Sequence, residues 1–239
     1  MEILYIALLT LIAATIGTIT GFGTSTLMIP VLLLFFPPVE ALFLVAIIHW
    51  FGNVWRVALF PAGIHWRLVL LFGATGLATS IWGASISLGA NELLLLRLLG
   101  AFLASYALFL MFWSTFKVPA GNLSALSGGA LSGFFAGLFG IGGAIRSMFL
   151  TAFDLPKAVY IATGGAIGLL VDSTRIITYL TGGTTLPKEL GYGLLLFIPI
   201  SFMGAQIAKR MVDKIPQNKF RVVVAVFLLA IGLKLIVLP

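Results

Sequence analysis

Long apolar segments follow one another along almost the whole chain, separated by short clusters of Gly, Pro and charged residues. Of the 239 residues, 61% are hydrophobic and only 9% are charged, and the apolar segments are too long to form the buried core of a soluble domain. The segments also lack the alternation over about ten residues that marks a transmembrane β-strand. The sequence therefore predicts an all-α integral membrane protein.

The segments form two sets of five, and the second set repeats the first. An offset of 119 residues aligns Asn53 with Asp172 and Arg56 with Arg175. We therefore predict one transmembrane domain over 1–239, with repeat one at 1–116, repeat two at 122–239 and a short connection between them. The segments lie at about 3–20, 24–36, 39–61, 67–89 and 92–116, and then at 122–139, 143–153, 157–181, 189–208 and 218–238.

Each copy contains a glycine break near its start, Gly21-Phe22-Gly23-Thr24 in the first and Gly140-Ile141-Gly142-Gly143 in the second. The 13 residues at 24–36 rise roughly 20 Å as a helix, too little to cross a hydrocarbon core of about 30 Å. We therefore expect half-helices after the breaks, and about 8–10 transmembrane or broken helices in all. The glycines could permit close packing and positive φ angles, or start half-helices whose N–H groups bind anions.

The formal net charge of +7 comes from basic residues near the ends of apolar segments, a pattern typical of orientation signals and not of a nucleic-acid partner. If the most basic loop is cytoplasmic, five crossings per copy place most other basic residues there too. An odd number of crossings predicts an inverted repeat with both termini outside. The loop contains Lys209, Arg210, Lys214 and Lys219, and the residues that join it on that side are Arg67, Lys117 and Lys157.

Polar residues inside apolar segments are the candidates for function. His49, Asn53 and Arg56 share one helical stripe, and its copy contains Asp172 and Arg175. A buried arginine costs roughly 2.5–3.5 kcal/mol, so it usually faces a cavity, a partner or a ligand. Two alternatives remain: Arg56 could extend to the nearby membrane surface, and Arg175 could pair with Asp172 at i, i+3.

Asp172 and Arg146 each have two interpretations, and His49 has one. Asp172 is the only acid well inside an apolar segment, so it is either a protonation switch or the fixed partner of Arg175. His49 is the second candidate for proton coupling. Arg146 follows the second break directly, and it reaches the same cavity if the break lies at membrane depth, or flanks a segment if the break lies at the surface.

The sequence contains little material for an enzyme. It has no cysteine, two histidines and no H-E-x-x-H, G-x-S-x-G, Walker lysine or G-x-G-x-x-G motif. We therefore expect no catalytic residue, metal or cofactor, and no engine driven by ATP.

The glycine clusters Gly17-x-x-x-Gly21-Phe22-Gly23 and Gly133-x-x-x-Gly137-x-x-Gly140-Ile141-Gly142-Gly143 resemble those of the sulfite exporter TauE/SafE family. The similarity in size, repeat and segment spacing covers essentially the whole chain. The resemblance implies a permease in the plasma membrane of a prokaryote. It also implies outward movement of sulfite or organosulfur anions in a secondary or facilitated mode.

The leading hypothesis is a transporter of a small anion that works by alternating access of the two halves, with lipid and a proton as further partners. Its alternatives are a transporter of another small organic anion and a membrane scaffold whose polar pairs only hold helices together. An intramembrane enzyme ranks last. The predicted substrate-binding residues are Arg56, Arg175, Asn53, Asp172, His49, Arg146, Gly21, Gly23, Thr24, Gly140, Gly142 and Gly143.

Overall fold

The computed structural model describes residues 2–21, 23–61, 63–112, 118–211 and 217–238, with only the backbone given for 217–223. The regular elements in these ranges are helices. They are α1 (Glu2–Thr20), α2 (Ser25–Leu32), α3 (Pro38–Leu59), α4 (Trp66–Gly89), α5 (Glu92–Phe112), α6 (Asn122–Phe139), α7 (Gly143–Leu150), a 3₁₀ turn (Thr151–Phe153), α8 (Lys157–Thr181), α9 (Lys188–Met211) and α10 (Gln217–Val237).

Five of these helices are long and apolar enough to cross a membrane: α1, α3, α4, α5 and α9. Their exposed surfaces are apolar, as lipid-facing surfaces must be, with side chains such as Leu70, Trp82 and Leu195 more than half exposed. The predicted all-α membrane fold is therefore confirmed.

The helix bounds match the predicted segments closely, with one difference in α2. This helix ends at Leu32 and is followed by a turn, although the apolar segment continues to residue 36. The amides of Leu34 and Phe35 donate to carbonyls three residues back, which tightens the chain into a turn, and Pro37 disfavours helical backbone at Phe36. At eight residues, α2 and α7 each rise only about 12 Å, so the predicted half-helices are confirmed. Lys117, Lys214 and the end of the segment at 92–116 lie outside the described residues.

The main helix pairs join one half of the chain to the other. Helix α4 packs on α6 and α1 packs on α9, while α3 packs on α8 and α5 on α10. If each helix is replaced by its counterpart in the other copy, the pair α4–α6 becomes α9–α1. The pairs α3–α8 and α5–α10 are unchanged by this exchange. The two halves therefore interlock through pairings that have the symmetry of a repeat, as expected if the copies are related by a two-fold axis.

The contact between α4 and α6 depends on small residues. A Cβ atom added at Gly133 would lie 2.3 Å from the carbonyl oxygen of Gly76, and one at Gly137 would lie 2.2 Å from that of Ser80. Larger side chains at these positions would push the two backbones apart. This close approach holds the second half's first helix against the first half.

The glycine breaks turn the chain back against the helix that precedes them. Gly21, Gly23 and Gly140 have φ angles of 75°, 86° and 70°, which L side chains rarely adopt. The amide of Gly23 donates to the carbonyl of Gly17 at 3.2 Å, and that of Ile141 donates to Phe135 at 3.2 Å. Both breaks therefore place the start of a half-helix inside the bundle.

Candidate functional site

Asp172 on α8 is the centre of a buried polar network. Its Oδ2 accepts hydrogen bonds from His49 Nδ1 at 2.7 Å and Asn53 Nδ2 at 2.9 Å, and its Oδ1 accepts one from Arg175 Nη1 at 2.9 Å. All four residues are at most 3% exposed. Because a carboxylate only accepts, the His49 Nδ1 carries the hydrogen in this contact. The network joins α3 to α8 and contains both predicted proton-coupling candidates.

Arg56 extends this network toward the first glycine break. Its Nη1 donates to Asn53 Oδ1 at 3.0 Å, and its Nε donates to Thr18 Oγ1 at 3.2 Å. The two repeat arginines are thus connected through Asn53 and Asp172. Arg56 is 3% exposed and does not extend to the surface. The pairing of Arg175 with Asp172 at i, i+3, which was the alternative for Arg175, is present.

A cavity lies on the other side of Arg56. The space between its lining atoms is about 260 Å³ when open solvent is counted, and the enclosed part has room for about one water molecule. Arg56 from α3 and Arg146 from α7 supply the charge, and the remaining polar groups are hydroxyls. The lining residues are Thr18, Gly21, Arg56, Arg146, Ser147, Leu150, Tyr160, Ile161, Gly164 and Gly165, and none of them is acidic.

Arg146 lies inside the protein at the cavity, which is the first of the two positions considered for it, and not at the flank of a segment. It is 4% exposed and lines the cavity beside Arg56, as expected for a break that lies inside the protein. The next residue, Ser147, donates from Oγ to the carbonyl of Gly21 at 2.5 Å. The start of α7 is therefore fixed against the first break, and the two breaks meet at the cavity.

Apart from its contact with Asp172, Arg175 is enclosed by closely packed helices. Its Nη2 donates to the carbonyl of Leu42 at 3.4 Å. A Cβ at Gly140 would lie 3.0 Å from that Nη2 and 2.0 Å from Ile29 Cδ1. Close packing around Arg175 therefore requires a glycine at residue 140. In the first copy, Gly21 lies beside Arg56 and lines the cavity.

The repeat offset explains why only one arginine faces a cavity. The polar side chains that line the Arg56 cavity correspond to apolar or small residues in the other copy. The corresponding pairs are Arg146 with Leu27, Ser147 with Met28, Tyr160 with Ala41 and Thr18 with Gly137.

The remaining predicted residues lie at the starts of the half-helices. Gly23 is in contact with His49, since a Cβ there would lie 2.8 Å from His49 Nε2. Thr24 is 1% exposed, and its Oγ1 has no hydrogen-bond partner. Gly142 packs against α6, where a Cβ would lie 2.3 Å from the carbonyl of Ser132, and Gly143 is the buried first residue of α7.

The sequence analysis missed three polar lining residues, which are Thr18, Ser147 and Tyr160. Ser147 could have been identified from the sequence, because it follows the candidate Arg146 within a half-helix. Thr18 lies before the break on an otherwise apolar helix, where a threonine usually bonds to its own backbone. Tyr160 is one turn into α8 and resembles an interfacial aromatic residue in the sequence.

A membrane bundle with two broken helices that meet at a buried cationic cavity has the architecture of a membrane transporter for small anions. The family model for the sulfite exporter TauE/SafE matches residues 6–235, nearly the whole chain. The chain therefore belongs to the sulfite exporter TauE/SafE family. It is a multi-pass membrane transporter and not an enzyme. No curated protein and no solved structure matches it significantly.

Proposed function

We propose that this protein exports small sulfur-containing anions, such as sulfite or organosulfonates, and that the anion binds between Arg56 and Arg146. The observation that carries the proposal is the cavity itself, because two buried arginines line it and no acid does. The family supplies the class of anion. Transport is secondary or facilitated, and the protein lies in the plasma membrane of a prokaryote.

The balance of buried charge supports an anionic ligand. In the part of the chain that the structure describes, the buried charged residues are three arginines and one aspartate. Asp172 pairs directly with Arg175, so Arg56 and Arg146 keep positive charge without a carboxylate in contact inside the cavity. Burying a charge without a partner is costly, and an anion between the two guanidinium groups removes that cost.

The chemistry of the lining groups favours an oxyanion. A guanidinium group presents parallel N–H donors that match two oxygens of one sulfite or sulfonate. Arg56 Nη2 is buried without a hydrogen-bond partner, so one such donor is available. The hydroxyl of Tyr160 also lies at the cavity wall, where it is hydrogen-bonded to Ser147. Leu150 and Ile161 form an apolar part that suits the short carbon chain of an organosulfonate.

The position of the cavity supports alternating access. Arg56 lies in the last turn of α3, while Tyr160, Ile161, Gly164 and Gly165 lie in the first turns of α8. In the orientation predicted from the basic residues, these ends are cytoplasmic. The corresponding region around Arg175, at the opposite ends of the same helices, is closed. A cavity near the cytoplasmic ends of these helices suits a transporter that is loaded from the cytoplasm, and movement of one half against the other would expose the anion outside.

Anion binding to purified protein tests the proposal. Sulfite, sulfate and a small sulfonate are titrated by calorimetry, and sulfite flux is followed in proteoliposomes. Loss of a charged hydrogen bond is worth about 1.5–3 kcal/mol, so Arg56→Gln and Arg146→Gln should each weaken binding by roughly 10-fold to 100-fold. Arg97→Gln, an exposed arginine on α5, is the matched control and should bind normally.

Two results would overturn the proposal. Wild-type protein that is folded and binds none of these anions would remove the sulfur-anion assignment. If binding is absent and the arginine variants only lower the thermal midpoint, the polar network serves to hold helices together. That outcome would support the alternative of a scaffold, since a ligand of the folded state must raise its apparent stability.

A further inference from the structure

Three unpartnered polar atoms belong to residues at the first glycine break and on the part of α3 that faces it, and none of these residues lines the cavity. They are Thr24 Oγ1, Ser25 Oγ and His49 Nε2, each buried and without a hydrogen-bond partner. The three residues are at most 3% exposed. Buried polar atoms are nearly always paired, so such a group indicates a site at which a ligand completes the hydrogen bonding.

The geometry places two of these atoms beside the first glycine break, and the third belongs to Ser25, the first residue of α2. A Cβ at Gly23 would lie 2.8 Å from His49 Nε2, and one at Gly52 would lie 3.6 Å from Thr24 Oγ1. The side chain of His49 therefore points from α3 at the glycine break. The N–H groups that start a helix favour an anion, and the two hydroxyls add donors beside them.

This group lies deeper than the cavity. His49 and Arg56 are seven residues apart on one stripe of α3, which separates them by roughly 10 Å along the helix axis. His49 is near the middle of α3, whereas Arg56 is in its last turn. Gly21 lines the cavity and Gly23 contacts His49, so the glycine break connects the two places.

The hydrogen bond to Asp172 determines what His49 offers at the break. Its Nδ1–H donates to Asp172, so in the neutral ring Nε2 carries a lone pair and repels an anion. A proton on Nε2 would convert it into a charged donor. The charged groups that act on this ring are Asp172 from α8, Arg56 from α3 and Arg146 from α7. Asp172 would stabilise the protonated ring, and an anion would offset the two arginines.

We propose that Thr24, Ser25 and protonated His49 form a second, central anion subsite, so that one proton on His49 Nε2 moves together with each anion that passes from the cavity. Asp172 holds the ring in place and does not itself take up the proton. The subsite is closed in this conformation and admits the anion when the two halves move. This inference rests on the proposed function, because it needs an anion delivered by the Arg56 cavity.

The test compares binding with flux in proteoliposomes that contain a pH-sensitive dye. Wild-type protein should take up protons together with sulfite, and an imposed pH gradient should drive sulfite flux. His49→Gln should lose both responses, while binding at the cavity changes by less than about 3-fold. His65→Gln, a change at the chain's other histidine, should keep them. The double variant Thr24→Val/Ser25→Ala leaves the Asp172 network intact and should lower flux at least roughly 10-fold with little loss of binding.

The possible failures can be told apart. Proton uptake that persists in a folded His49→Gln protein would overturn the coupling, and equal losses of binding and flux in the double variant would overturn the separate subsite. Wild-type protein that neither binds nor moves sulfite would instead overturn the proposed function. Thermal midpoints of all variants identify any that fail to fold.

Discussion

Asn53 donates a hydrogen bond to Asp172 at 2.9 Å across a separation of 119 residues, the same interval that relates the two copies of the sequence. Corresponding residues of two copies related by a two-fold axis touch only where they lie beside that axis. A Cβ at Gly168 would lie 2.4 Å from Asn53 Nδ2, so the glycine that corresponds to His49 gives Asn53 its space. At the centre of the molecule, Asn53 and Asp172 are corresponding residues of the two copies. The imidazole of His49 has no counterpart, because the second copy has a glycine there.

Replacing Asp172 with Asn should strongly destabilise the protein. The carboxylate accepts hydrogen bonds from His49, Asn53 and Arg175, and an amide cannot neutralise the arginine. Removing one partner of a buried ion pair costs about 3–5 kcal/mol. Thermal unfolding in detergent, followed by tryptophan fluorescence, measures the effect. The control Asp154→Asn changes an exposed aspartate and should leave the midpoint nearly unchanged.

The two repeat arginines should respond differently to the same substitution. Arg175 is fully buried and paired with Asp172, so Arg175→Gln should lower the free energy of unfolding by about 3–5 kcal/mol without any anion. Arg56 lacks a direct carboxylate partner at the cavity, so Arg56→Gln should change stability by no more than about 1 kcal/mol. Parallel unfolding curves with and without sulfite separate the two roles. Equal destabilisation by both substitutions would contradict the distinction.

Gly140→Ala should destabilise the second break through two effects. Its φ of 70° is unfavourable for alanine, and the added Cβ would meet Ile29 Cδ1 at 2.0 Å. Gly183→Ala is a matched control, because Gly183 has a φ of 82° and nothing within 4 Å of an added Cβ. The difference between the two variants should be about 1–3 kcal/mol, which is the cost of overpacking alone. Denaturant titrations of both proteins measure it.

The contact between α4 and α6 should not tolerate even a methyl group. In Gly133→Ala the new Cβ would lie 2.3 Å from the Gly76 carbonyl oxygen, so the helices must separate, and we expect a loss of about 1–3 kcal/mol. Gly191 lies in α9 with open space around it, and Gly191→Ala should stabilise the helix by about 0.5–1 kcal/mol. Opposite signs of the two shifts in unfolding midpoint would confirm that close packing, and not helix propensity, governs Gly133.

Most of the fold could be predicted because each membrane-spanning helix is a long apolar segment in the sequence. Backbone polar groups must be satisfied within each segment, so a long apolar segment is a helix and a glycine break divides it. The bounds of α3 and α8, Pro38–Leu59 and Lys157–Thr181, follow from this rule and from the offset of 119. The end of α2 at Leu32 did not follow from apolarity, since Pro37 and Pro38 act through local backbone geometry.

The candidate site was predictable only in part. Buried charge in an apolar segment is costly, and this identified Arg56, Asp172 and Arg175 without a structure. The sequence could not show that Arg146 shares a cavity with Arg56 while Arg175 does not. That difference depends on how the two half-helices cross, and on which side chains fill the equivalent space. The place of Tyr160 in the cavity wall could not be predicted either, since only the packing of the helices brings it to the first glycine break.

An inverted repeat, which the basic residues predict, specifies which helix ends face outward. Helix α4 should run from the cytoplasm outward and α9 from outside inward. The chain has no cysteine, so single cysteines can be labelled without background. Asn91→Cys and Lys188→Cys should react with a membrane-impermeant maleimide in intact spheroplasts. Arg67→Cys and Lys209→Cys, also at exposed positions, should react only after permeabilisation. A parallel arrangement would place residues 67 and 188 on the same side, and labelling of both under one condition would contradict the inverted repeat.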